Sequence, residues 1–322
     1  MRVALYDQYG GPGVLYEGTL PKPVPRAGEV LVRVHAASVN GGELTARAGK
    51  VRLVTALMDR GFPKRTGTDF AGDVAALGAG VSRFRIGDVV WGVLARAFGS
   101  MAEFVVVPAD QLARTPVGLD LVRAAALPAV GTTAITALRD KARIREGERL
   151  LVRGGAGGVG SVAVQLGRAY GAHVTALAGA RHLDFVRDLG ADEARDYSTT
   201  APRDLGRFDV VLDTVGTGMA DYRRLLTPTG RMVSIAFDSS RVLRSLGYLV
   251  ASTAFGPRRV RFFSGNPRHD LLAELARLTE SGAIRPVVAR TYPLAEIAHA
   301  HRALQAGGIG GKLVITVAGS AN

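Results

Sequence analysis

The sequence predicts an α/β protein made of an irregular β domain and a doubly wound parallel sheet with helices on both faces. Three observations predict this. Up to about residue 122 the chain reads as short strands broken by glycine-rich turns. From residue 123 strands alternate with helices. Within that second region LLVRGGAGGVGSVAVQLGRAYGAHV, residues 150–174, reads as strand, glycine-rich turn and helix.

In the first region EVLVRVHAASVN alternates as a strand does, and FAGDVAALGAG and GDVVWGV are short apolar runs punctuated by glycine. KVRLVTALMDRGF, residues 50–62, has the spacing of a short amphipathic helix with Val51, Val54, Leu57 and Met58 on one face. LVRAAALPAVGTTAITALRD has a helical period. Then come a strand at 149–153, a helix at 158–170, a strand at 173–178, a helix at 182–189, a strand at 208–213, a helix at 219–226 and a strand at 231–236. After residue 266 the order is helix (HDLLAELARLTESG), strand (VVARTYPL), helix (AEIAHAHRALQAG) and strand (KLVITV).

Composition narrows the function classes. Of the 322 residues 47% are hydrophobic and 21% charged, an ordinary balance for a globular protein. No apolar run reaches the roughly 18 residues of a membrane span, and LGYLVASTAFG gives way to Arg258 and Arg259. MRVALYDQYGGPG lacks the apolar core and cleavage site of a secretory signal, so the expected location is the cytoplasm. With no cysteine, disulfides, thiolate zinc sites and cysteine nucleophiles are excluded. The formal charge is +13, yet only five of the 41 basic residues are Lys and the Arg residues are scattered. That pattern reads as compositional bias rather than a nucleic-acid footprint, and it leaves an acidic protein partner open.

Gly155, Gly157 and Gly160 fit the G-x-G-x-x-G spacing between a strand and a helix. Gly155, Gly157 and Gly158, with the Val159 backbone after them, would let a pyrophosphate approach the helix N-terminus and its positive dipole end. An acid closing the next strand would bind the adenosine ribose hydroxyls and repel a 2′-phosphate. Here the strand closes on Ala178, Gly179, Ala180 and Arg181, and Asp184 falls in the following helix. Arg181 can pair with a 2′-phosphate, and Tyr197 in ARDYST, after the third strand, can add a phenolic donor. The expected cofactor is NADPH rather than NADH.

Across nearly its whole length the chain resembles the zinc-independent medium-chain dehydrogenase/reductases. Within them it is similar to the quinone oxidoreductase (zeta-crystallin-like) and enone reductase group. The matching segments are ASVNGGELTARAG, GTDFAGDVAALGAGVSRFRIGDVVWG, GSMAEFVVV, AAALPAVGTTAITAL, GERLLVRGGAGGVGSVAVQLGRAYGAHV, FDVVLDTVG, TGRMVSIA, IRPVVARTYPLAEIAHAHRAL and GKLVITV. The resemblance implies a GroES-like substrate domain from residues 1–122 with 266–322, a Rossmann NADPH-binding domain from 123–265, and a homodimer. Zinc-dependent relatives hold their metal with a Cys near the SVN position and a His in a GHE motif. Here those positions carry Asn40 and Thr68 followed by Asp69, and residues 91–100 leave no room for a four-cysteine lobe. No metal is expected.

Without a Lewis acid, hydride removal from a simple alcohol is difficult. Hydride addition to a quinone or enone is easier, because the negative charge spreads onto oxygen. Such a reaction needs alignment of nicotinamide and substrate, and donors near that oxygen. Asn40 is the first candidate donor, with a turn role before Gly41 and Gly42 as the plain alternative. Glu43 stands where relatives carry Asp and reads as an orienter more than an acid. Thr45 stands where enone reductases often carry Lys, which removes a cationic enolate stabiliser. By resemblance Thr133 contacts the nicotinamide end, and Val215, Gly216, Ala236, Phe237, Phe262 and Phe263 wall the cofactor. The loops 50–66 and 238–262 are expected to line the substrate pocket. No proton donor stands out, and His299 and His301 read as surface or packing residues. The leading reading is an NADPH-dependent quinone or enone reductase. An enoyl-thioester reductase serving an acidic carrier protein, and a non-catalytic NADPH-binding regulator or nucleic-acid binder, stay open.

Overall fold

The computed structural model describes residues 1–50, 61–94, 97–237, 247, 252, 260–263 and 265–317. The helix expected over 50–62 lies almost wholly outside them, as does most of the 238–262 loop. The chain divides into two compact units. The first comprises Met1–Thr132, Asn266–Gly282 and Pro286–Asn322, the second Thr133–Gly265 and Ala283–Arg285.

The first unit opens with β1 (Arg2–Tyr6), β2 (Tyr16–Thr19), β3 (Glu29–Ser38), α1 (Gly41–Arg47), β4 (Lys64–Arg65), β5 (Asp69–Leu77), β6 (Val89–Val93), β7 (Phe104–Pro108), β8 (Leu112–Arg114) and α2 (Leu121–Ala124). Helix α3 (Pro128–Ile135) carries the chain into the second unit, with β9 (Arg149–Arg153), α4 (Gly158–Ala169), β10 (His173–Ala178), α5 (Leu183–Asp188), β11 (Glu193–Asp196), β12 (Phe208–Asp213), α6 (Met219–Arg223), β13 (Leu226–Ser234) and β14 (Val260–Phe262). The tail, α7 (His269–Glu280), β15 (Val288–Pro293), α8 (Ile297–Ala306) and β16 (Lys312–Thr316), falls almost entirely in the first unit.

The main sheet of the first unit runs β15-β16-β3-β5-β6-β8, with β7 pairing β3. Its pairs are antiparallel except β15 with β16. β3 buries Val30, Leu31, Val32, Val34 and Ala36–Ser38, and only around Arg33, which is exposed, does it alternate as a strand with one solvated face does. Those valines pack with Phe70, Val90, Leu112, Leu313 and Ile315. The register Val314↔Ser38 brings the start of β16 beside the end of β3, which sets the polar cluster described below.

The sheet of the second unit runs β11-β10-β9-β12-β13-β14, and every pair is parallel. Counted within the unit this is the order 3-2-1-4-5-6, so chain direction across the sheet reverses between β9 and β12. Leu150, Leu151 and Val152 are fully buried, as strands covered on both faces require. Helix α4 buries Val162, Ala163, Val164 and Leu166. It approaches closely because a Cβ on Gly167 would lie 2.7 Å from Leu150 and 2.8 Å from Val174. The helix expected over 219–226 ends at Arg223, because Leu226 already pairs with Phe208 at the start of β13. The helix expected over 182–189 begins as a 3-10 turn at Ala180–His182.

Candidate functional site

In the first unit a buried polar cluster gathers where β3 ends. Asn40 precedes α1 with the extended backbone of an N-cap, yet its side chain caps nothing. It turns inward instead. Its Oδ1 accepts from Lys312 Nζ at 2.7 Å. Its Nδ2 faces Thr68 Oγ1 and Asp69 Oδ1 at 3.0 Å, the Ser38 carbonyl at 3.1 Å and Glu43 Oε1 at 3.3 Å. An amide has two N–H groups, so it serves two of these four oxygens at a time.

Lys312, 6% exposed, also donates to the Val39 carbonyl at 2.7 Å. Burial pulls its pKa down, against the attraction of Asp69 and Glu43. Asp69 is fully buried and accepts from Ser38 Oγ at 2.8 Å on both oxygens and from the Ala129 N–H at 3.2 Å. Glu43, 1% exposed, accepts from Thr66 and Thr68 at 3.1 and 3.3 Å. Burial first, and the Asp69 charge second, push the Glu43 carboxyl up to about 7, against Lys312 and the bonds from Asn40 and Thr66.

Behind Glu43 stands fully buried His301, whose Nε2 is 3.7 Å from Glu43 Oε2, beyond hydrogen-bond length. Its Nδ1 lies 3.1 Å from Arg47 Nη1, and Arg47 also reaches Gln305 Oε1 at 2.8 Å and the Gly10 carbonyl at 3.2 Å. Burial, then Arg47, push His301 down to about 3. A neutral ring that accepts from Arg47 at Nδ1 carries its hydrogen on Nε2, toward Glu43. His299 is exposed. Thr45 takes no part in this network among the described residues; its hydroxyl lies 3.5 Å from the Gly41 carbonyl. Nor, among the described residues, does any group of three or more His, Cys, Asp or Glu side chains have the arrangement to hold a metal ion.

In the second unit the carboxyl ends of the strands carry the glycine turn. A Cβ on Gly160 would fall 2.0 Å from the Gly154 carbonyl oxygen, and one on Gly155 would lie 2.9 Å from Ala176 Cβ. Glycine is therefore required for the head of α4 to sit on the turn. Gly157 caps this 12-residue helix with backbone alone, and Gly157, Gly158 and Val159 are half-buried. First-turn N–H groups at such a head carry partial positive charge. Tyr197, 63% exposed, lies against Gly179, where a Cβ would meet its hydroxyl at 3.4 Å. Ala180 and Arg181 are exposed, and the Arg181 guanidinium makes no hydrogen bond or ion pair among the described residues.

Four of the expected wall residues, Gly216, Ala236, Phe237 and Phe262, come together. Gly216 has φ +83, and a Cβ there would lie 2.6 Å from Phe237 N and 2.7 Å from the Ala236 carbonyl carbon. The Phe237 and Phe262 rings are 6.5 Å apart at 64°, and the Lys141 ammonium lies 6.0 Å from the Phe263 ring. Val215 is 45% exposed, and Thr133 is half-buried on α3. A glycine turn at a helix head, a phenol against Gly179, an exposed cation two residues on with no partner among the described residues, and an apolar edge fit a phosphorylated dinucleotide.

Sequence reasoning misses two parts of this. It passes over Lys312, Ser38, Thr66, Arg47 and His301 as members of one cluster. It also misses the buried ion pair of Arg153 and Asp213 at 2.8 Å. The available signal was a charge at the carboxyl end of each of two strands with apolar centres, RLLVR and FDVVLD.

A GroES-like unit joined to a Rossmann unit is the architecture of a dinucleotide-dependent oxidoreductase. Two family models match the chain, the alcohol dehydrogenase GroES-like domain over residues 26–117 and the zinc-binding dehydrogenase over 189–315. The chain is 30% identical over 328 residues to the chloroplast envelope quinone oxidoreductase homolog of Arabidopsis thaliana, covering 98% of each. It is 33% identical over 329 residues to the chloroplastic NADPH-dependent alkenal/one oxidoreductase of the same plant, covering 98% of this chain and 79% of that one. The solved structure of the quinone oxidoreductase from Coxiella burnetii superposes with a TM-score of 0.88 at 30% identity, covering 99% of each chain. The chain belongs to the medium-chain dehydrogenase/reductase family, in its quinone oxidoreductase group. One matching model is described by zinc binding, whereas this chain has no cysteine and places a lysine ammonium among Asn40, Asp69 and Glu43. No described helix is long and apolar enough to cross a membrane.

Proposed function

We propose that this chain is an NADPH-dependent reductase of quinones or of activated C=C bonds in α,β-unsaturated carbonyls, working without zinc, as a homodimer in the cytoplasm. The observation that carries the reading is Arg181, exposed and without a hydrogen bond or ion pair among the described residues, two positions after Gly179, against which Tyr197 lies. The names of the relatives, quinone oxidoreductase and NADPH-dependent alkenal/one oxidoreductase, support the substrate class.

When bound, NADPH supplies a hydride from its nicotinamide to an electron-poor carbon. The backbone of Gly155, Gly157, Gly158 and Val159 holds the pyrophosphate, and Arg181 with Tyr197 holds the 2′-phosphate. Thr133 and the Val215–Gly216, Ala236–Phe237 and Phe262–Phe263 segments bound the rest. Asn40 offers an N–H to the substrate oxygen as negative charge develops there. Glu43, half-protonated near neutral pH, sets the hydrogen-bonding demand on that amide rather than attacking substrate.

The test is NADPH oxidation by purified protein against a panel of quinones, enones and enoyl thioesters. Turnover with quinones or free enones is expected. Turnover confined to carrier-bound enoyl thioesters would favour the enoyl reductase reading, which the +13 charge supports because carrier proteins are acidic. Tight NADPH binding without turnover on any substrate would favour the non-catalytic reading.

A further inference from the structure

We infer that Arg153 and Asp213 are a positioning pair that sets the shape of the dinucleotide-binding edge, an inference that rests on the NADPH reading above. The pair stands at the carboxyl ends of β9 and β12, the neighbouring strands between which the sheet changes direction. Ligands of such sheets bind outside the strand ends at this switch point.

Neither side chain is available to a ligand, since Arg153 is 6% exposed and Asp213 not at all. They act on backbone. Asp213 Oδ1 accepts from Arg153 Nη1 at 2.8 Å, from the Val215 N–H at 3.0 Å and from the Gly216 N–H at 3.1 Å. Arg153 Nη1 also donates to the Thr217 carbonyl at 2.8 Å, and its guanidinium carbon lies 3.6 Å from the centre of the Tyr222 ring. Thr214 Oγ1 donates back to the Arg153 carbonyl at 2.7 Å. The ion pair thus holds residues 215–217 of the turn, while the Arg153 main chain holds Thr214.

That turn touches two other parts of the edge. A Cβ on Gly154, at φ +74, would fall 2.4 Å from Thr214 Oγ1, so the start of the glycine turn rests on Thr214. Gly216 packs on the backbone of Ala236 and Phe237 with no space for a side chain. A displaced 214–217 turn therefore moves the pyrophosphate turn and the apolar wall together. A buried ion pair is weak evidence for stability, because well-packed apolar residues often replace one at no loss. Three backbone groups of one turn held by this pair give it a geometric role instead.

The experiment uses Arg153→Gln, Asp213→Asn and the double variant. Dissociation constants for NADPH and for NADH are measured by titration, beside circular dichroism and thermal melting without ligand. The two constants are expected to rise in parallel, by about fivefold or more, in variants that remain folded. Parallel loss separates this pair from a group that acts on the 2′-phosphate alone. Unchanged constants in a folded variant with a lowered melting temperature would make the pair a simple brace and overturn the inference. Loss confined to NADPH would overturn it too. Where a single variant fails to fold, the double variant decides the matter, because it leaves no unpaired buried charge. Wild-type protein that binds neither dinucleotide would overturn the cofactor reading, and this inference with it.

Discussion

The Lys312 ammonium donates to the Asn40 side-chain oxygen at 2.7 Å, and this contact fixes which end of the amide faces the two carboxylates. With Oδ1 committed to a cation, Nδ2 is turned toward Asp69, Thr68 and Glu43. Oxygens outnumber N–H groups there, so an N–H can transfer from an internal oxygen to a more strongly charged one at little cost. Asn40→Ala is expected to lower turnover by about one to two orders of magnitude with NADPH affinity nearly unchanged. Steady-state kinetics with a responsive quinone, beside an NADPH titration, checks this. Full activity in the variant would reduce Asn40 to a turn residue.

Arg181 gains a charged partner only when a 2′-phosphate is present. A hydrogen bond to a charged group contributes roughly 1.5–3 kcal/mol, so Arg181→Ala should weaken NADPH binding about tenfold to a hundredfold. NADH binding should hardly change. Titration of both cofactors reads this directly, and equal weakening of the two would mean that Arg181 is structural.

A divalent cation among Asn40, Thr68 and Asp69 would meet the Lys312 ammonium, and no cysteine exists to offer a thiolate. Elemental analysis of purified protein should find zinc far below one per chain, and chelators should leave quinone reduction intact. Stoichiometric zinc would overturn the assignment to a zinc-independent group.

The second unit is legible in the sequence because its signals are local. Strands 149–153, 173–178 and 208–213 lie where their apolar runs stand, since both faces of each are covered and nothing competes with burial. The glycine turn and Arg181 are readable for the same reason, as consecutive residues. The Asn40 cluster is not. Its lysine is 272 residues away and arrives through the antiparallel register of β16 on β3. His301 reads from sequence as a surface or packing residue; it is fully buried, and its place between Arg47 and Glu43 depends on how α8 meets α1. Arg153 and Asp213 hide because a charge at a strand end ordinarily reads as the point where the strand reaches water.

Glu43 and His301 give opposing dependences of stability on pH, and their signs separate them. Glu43 is raised from an ordinary 4.5 to about 7, so between those values the folded chain holds a proton that the unfolded chain has lost. Its contribution is complete below about pH 4.5 and is lost as pH rises through 7. His301 is lowered from an ordinary 6.5 to about 3, so between those values the unfolded chain holds the extra proton. Its contribution is complete above pH 6.5 and is lost as pH falls toward 3. At full strength each slope is about 1.4 kcal/mol per pH unit. Of these two groups, only the histidine acts from pH 3 to 4.5, where its contribution climbs. From 4.5 to 6.5 the two nearly cancel, and just above 6.5 the glutamate alone lowers stability. Glu43→Gln should remove the falling limb, so the variant's stability keeps climbing to pH 6.5 where the wild type levels off. Denaturant unfolding of both proteins from pH 4 to 8 measures the difference. Parallel profiles would mean that Glu43 titrates alike in the folded and unfolded chains, and that its burial does not hold a proton near neutral pH.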